Sequence, residues 1–157
     1  MREIAQEIKE EYQAKRTDEE KALIRELVES GRKCKSEEII QIDKADAGGI
    51  VWMETGTENA GLIHILKHQK ELKTRGIEKK EIPRFTAEII KKGEIVSGTK
   101  SKNGKEGLLL RYGEKLYIIS VGDNGFIVGL YPVREGERYE KTSYDAGYNR
   151  AVALGLR

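Results

Sequence analysis

Between Glu94 and Val133 the chain carries four short apolar segments, each closed by a turn signal, and this stretch most restricts its fold. Ile95-Val96, Gly107 to Tyr112, Lys115 to Val121 and Phe126 to Val133 are rich in β-branched, leucine and aromatic residues, which suit a pleated surface. Lys102-Asn103-Gly104, Tyr112-Gly113-Glu114 and Gly122-Asp123-Asn124-Gly125 separate them. Connections this short allow only antiparallel neighbours, because a parallel pair needs a long crossover. The expected result is an antiparallel meander of about four strands. In the Asn-Gly turn, both central positions are expected at positive φ.

The residues before this meander read as helix. Arg2 to about Lys15 is built of good helix formers, with Ile4, Ile8 and Tyr12 at helical spacing. Thr17-Asp18-Glu19-Glu20 is a capping box for a second helix that buries Leu23, Ile24, Leu27 and Val28 and stops at Gly31. Ser36-Glu37-Glu38 opens a short helix or an extended run through Ile39, Ile40 and Ile42, and Ala47-Gly48-Gly49 breaks it. Gly49 to Met53, with Trp52, is a short strand or a packed linker. A central helix is expected from Gly61 to about Thr74, capped by Thr57 or Asn59, and another from Ile82-Pro83 to Lys91-Lys92-Gly93. The tail beyond Arg134 is polar and ends in a short helix or an extended arm. The expected class is α+β, N-terminal helices packed on one face of the sheet. The expected division is a helical appendage at 1–46 and a main domain at 47–157.

Charged residues make up 36% of the 157, yet acids and bases nearly cancel at a formal +2. A nucleic-acid partner therefore requires a local basic face. Cys34 is the single cysteine, which leaves no intrachain disulfide and no cysteine zinc cluster. No run is apolar enough to span a bilayer and no signal-peptide pattern is present, so the expected setting is soluble and cytoplasmic. No Gly-x-Ser-x-Gly elbow and no glycine-rich strand-to-helix loop occurs, which argues against an activated serine and a nucleotide site.

Both histidines of the chain, His64 and His68, fall on the central helix four residues apart. At about 100° per residue, Leu62, Ile65, Leu66 and Leu72 form the apolar stripe, while His64, Lys67, His68 and Glu71 lie opposite. Such a pair can ligate one metal ion, transfer protons near neutral pH, or stand solvated on a surface. The zinc-protease pattern is excluded, because Ile65 stands where its glutamate belongs. On the sheet, Arg111 is a phosphate clamp or the cross-strand partner of a glutamate. Ser120, Asp123 and Asn124 add polar groups, Asn124 also suiting its turn, and Tyr131 is core or site. Lys100, Lys102 and Lys105 gather in the first hairpin, close in sequence to Lys91 and Lys92.

Gly61-Leu62-Ile63-His64-Ile65-Leu66-Lys67-His68, Ile82-Pro83, Lys92-Gly93-Glu94-Ile95-Val96 and Ile119 to Pro132 resemble phage- and prophage-associated nucleases. These belong to the group that unites barnase, EndoU, the tRNA-cleaving colicins and RelE. The resemblance covers about Gly56 to Val133. It implies a helix followed by a four-stranded sheet, and RNA cleavage that uses neither metal nor cofactor. The family's helix histidine maps onto His64, with His68 as second candidate, its basic sheet residue onto Arg111, and its late-strand polar residues onto Asn124 and Tyr131. Catalytic roles are thus expected of His64, His68, Arg111 and Tyr131, and substrate contacts of Lys67, Lys100, Ser120 and Asn124. Implied partners are RNA, an inhibitor protein or a phage structural protein, with no membrane. The alternative is a non-catalytic assembly module of a phage or mobile element.

Overall fold

The computed structural model describes residues 1–157 and is α+β. Helices α1 (Arg2–Ala14) and α2 (Asp18–Glu29) form the N-terminal hairpin. The capping box that separates them is closed: Glu20 N–H donates to Thr17 Oγ1 at 3.1 Å, and Thr17 N–H to Glu20 Oε1 at 3.0 Å. A 3₁₀ turn at Ser36–Glu38 leads into β1 (Ile39–Lys44), which pairs antiparallel with β2 (Ile50–Glu54).

This small sheet corrects the division expected at 46/47, because that cut falls in the turn of the β1–β2 hairpin. Nor is the N-terminal hairpin a separate body. Ala5 and Ile8 of α1 share one buried core with Ile63, Leu66 and Leu72. Leu27 of α2 joins Ile39, Ile42, Ile50 and Trp52 in a second, smaller core, against which Phe126 packs.

The central helix is also not continuous. It is divided into α3 (Leu62–Ile65), a 3₁₀ turn at Leu66–His68 and α4 (Gln69–Thr74). Leu62, Ile63, Ile65 and Leu66 are all buried, so the segment has apolar neighbours on more than one side and no single stripe. The tighter 3₁₀ turn re-aims the chain so that Leu72 still reaches the core. After α5 (Ile82–Lys92) come β3 (Glu94–Lys100), β4 (Glu106–Tyr112), β5 (Lys115–Val121) and β6 (Ile127–Pro132), in sheet order β3-β4-β5-β6 and antiparallel throughout.

The strict two-residue turn with both φ positive is Gly113-Glu114, at φ 58° and 65°. In the Asn-Gly connection only Gly104 has a positive φ, and the loop from Ser101 to Lys105 is longer. One face of the sheet sends Leu108, Leu110, Tyr117, Ile119 and Leu130 into the core with Ile82 and Ile89 of α5. By strand alternation, Ile118, Ser120, Gly129 and Tyr131 occupy the other face.

Beyond β6 the chain crosses that outer face and returns to the opposite edge. Gly98 N–H donates to Ser143 O at 3.1 Å, Thr142 N–H to Gly98 O at 3.0 Å and Lys100 N–H to Glu140 O at 3.1 Å. The exposed edge of β3 is thereby covered, as open strand edges require. Ser143 then caps α6 (Tyr144–Ala153), accepting from Ala146 N–H at 3.0 Å. Gly147 lies against the β3 backbone, where a Cβ would stand 2.5 Å from Ser97 C. No helix is long and apolar enough to cross a membrane.

Candidate functional site

A single backbone bond sets the position of α3: Gly61 N–H donates to Val128 O at 2.9 Å, fastening the helix start to β6. Gly61 has φ 90°, and a Cβ there would come within 2.9 Å of Glu54 O, so glycine alone fits this approach. The consequence appears three residues later. The His64 imidazole lies over Gly129, where a Cβ would stand 3.2 Å from Cδ2 and 3.4 Å from Nε2.

His64 Nδ1 is 2.8 Å from the carbonyl oxygen of Glu58. A carbonyl only accepts, so Nδ1 carries a hydrogen, and in the neutral ring the lone pair is then on Nε2. Lys67 Nζ donates to the same carbonyl at 2.8 Å. Lys67 therefore steadies the loop that orients His64 and does not line the cleft, contrary to the substrate contact expected of it.

His64 borders a cleft of about 930 Å³ on the outer face of the sheet. His64, His68, Ser120, Tyr131 and Lys100 all line it, together with Lys102 and Lys105 from the β3–β4 hairpin. The crossing tail supplies the remaining wall through Arg138, Tyr139 and Glu140. Among the lining residues, the lysines and Arg138 are opposed by the single carboxylate of Glu140, so the wall is cationic despite the near-neutral chain.

His68 meets the edge of Tyr131, ring centroids 5.3 Å apart at 65°. The Tyr131 hydroxyl in turn donates to the Glu137 carboxylate. Burial holds the His68 imidazole below the usual histidine range near 6.5; Glu71 opposes this, and His64 reinforces it. Below that value the unfolded chain takes up a proton more readily than the folded one, so His68 makes stability fall as pH drops. His68→Asn is expected to flatten the acid side of a stability-versus-pH curve measured by urea unfolding. An unaltered acid limb would contradict this.

Two expected site residues lie elsewhere. Arg111 is the cross-strand partner of Glu94, Nη1 to Oε1 at 3.7 Å, and is half exposed outside the cleft. It shares the outer face with Ile118 and Ser120 but sits toward the opposite end of β4. Asn124 belongs to its turn, where Oδ1 accepts from Phe126 N–H at 3.1 Å, and it also lies outside the cleft. No protein-family model matches the chain, and no curated protein does.

Gly129, Glu137, Arg138 and Tyr139 belong to the site or its border without being among the residues expected there. Gly129 carried a usable signal, since an interior strand glycine often marks the close approach of another group. The tail residues carried none, because nothing local says that the polar segment folds back over the sheet. No group of three His, Cys, Asp or Glu side chains is placed to hold a metal ion. A smaller cleft of about 400 Å³, lined by Tyr12, Glu20, Asp43 and Arg84, interleaves opposite charges and contains no histidine.

Proposed function

We propose that the chain is a metal-independent endoribonuclease that cleaves RNA by attack of a 2′-hydroxyl on the adjacent phosphate, encoded by a phage or mobile element. The observation that carries this reading is His64, whose Nδ1–H is tied to Glu58 while the ring borders a cationic cleft, so that in the neutral ring Nε2 is left without a hydrogen. In that state Nε2 accepts the 2′-hydroxyl proton as general base. The oxygen bonds to phosphorus, the bond from phosphorus to the 5′-oxygen breaks, and the departing oxygen takes a proton. His68 is the expected donor once protonated, and its edge contact with Tyr131 fixes its ring. Lys100, Lys102, Lys105 and Arg138 stabilise the negative charge that grows on the phosphoryl oxygens, the task previously expected of Arg111.

The test is incubation of the purified chain with RNA in EDTA. Discrete products are expected; intact RNA, or activity lost to the chelator, would refute the reading. Gly129 offers a finer check, because a Cβ there would meet nothing but the His64 ring. Gly129→Ala presses a methyl group toward Cδ2 and Nε2. Cleavage is expected to slow by about tenfold, in keeping with the steep cost of misplacing a reacting group. An unchanged rate would show that the ring does not act from this position.

A further inference from the structure

We infer that Tyr144 and Tyr148 form a second contact for single-stranded RNA, outside the cleft, on which bases of the flanking strand stack. The inference rests on the ribonuclease reading for its ligand, while its evidence comes from a different element. These are the only two exposed aromatic side chains of the chain, at 55% and 43%. Their rings lie nearly parallel, at 20° with centroids 6.2 Å apart. The fold does not use them, because α6 turns Gly147 and Ala151 inward.

Their place in the chain joins them to the cleft. Lys100 and Glu140 both line it and are joined by a backbone hydrogen bond. From Glu140 the chain runs extended along β3, so Tyr144 begins within about 13 Å of the rim. Lys141 lies on that path and is bridged to Thr99, itself a cleft residue. Together with Lys100, Lys102, Lys105 and Arg138 it makes five cations beside four carboxylates, Glu106, Glu137, Glu140 and Asp145. Aromatic faces beside a positive track suit a polyanion with flat bases, the combination by which single strands are held without sequence readout.

The experiment measures binding of labelled RNA to the full-length His64→Ala chain, using a trinucleotide and a strand of about twelve nucleotides. Changing Tyr144 and Tyr148 together to alanine is expected to weaken the longer strand by about tenfold or more while sparing the trinucleotide. Changing both to phenylalanine should preserve binding, since the rings remain. Circular dichroism confirms that each variant is folded. Unchanged affinity for the longer strand, an equal loss on both RNAs, or a loss with phenylalanine would overturn the inference. So would rings protected by a protein partner while RNA affinity stays constant. The two readings fail separately. His64-dependent cleavage with tyrosine-independent binding sinks only this contact. Tyrosine-dependent binding by a chain that leaves RNA intact sinks only the nuclease.

Discussion

His64→Ala is expected to lower RNA cleavage by about two to four orders of magnitude, the range for loss of a general acid–base group. The size follows from what the imidazole does and what remains without it. On the proposed reading Lys100, Lys102, Lys105 and Arg138, all of which line the cleft, would still hold the phosphate, so binding should persist while proton removal reverts to water. His64→Gln sharpens the experiment. Its amide is capable of donating to the Glu58 carbonyl, but it offers no base of similar strength. Both variants should therefore fold, bind RNA and fail to cut it. A variant that cuts at the wild-type rate would remove His64 from the chemistry.

The second large effect concerns stability. Trp52→Ala is expected to cost about 3–5 kcal/mol, the usual penalty for truncating a large buried aromatic. Trp52 is fully buried, meets Phe126 edge-on with centroids 6.0 Å apart, and donates from Nε1 to Glu54 Oε2 at 2.9 Å. Glu54 is itself buried and otherwise accepts from Lys35 N–H at 3.1 Å. Truncation would thus open a cavity and also leave a buried carboxylate short of a donor. Trp52→Phe separates the two terms. It keeps most of the ring volume and should lose about 1–3 kcal/mol through the carboxylate. Urea denaturation measures both, and equal midpoints for wild type and Trp52→Ala would contradict the packing described. Because this core joins α2, the small sheet and Phe126, one cooperative transition is expected.

Features set by near neighbours in the chain were readable. The meander announces itself through glycine and asparagine between β-branched runs, and the Thr17–Glu20 box fixes a helix start with groups three residues apart. Ile39-Ile40 and Ile50 to Met53 were ambiguous, since short continuous apolar runs suit a buried strand or a packed linker equally. Nothing local therefore marks the hairpin between them, or the continuity across residue 46 that it brings.

For the site, alternation along a strand tells which face a side chain takes but not which end lies under the helix. Arg111 and Ser120 share a face for that reason, yet only Ser120 reaches the cleft. The decisive bond, Gly61 to Val128, joins residues 67 positions apart (128 − 61) and leaves no local trace.

The strand-covering tail has a consequence for the order in which the molecule is made. Translation proceeds from the N-terminus, and domains organise as the chain emerges. Helix α3 and all the strands leave the ribosome before Arg138, Tyr139 and the run that seals β3. Until that run is made, the outer face of the sheet lacks one wall and β3 has a bare border. Only the last stretch to be synthesised supplies that wall and covers that edge.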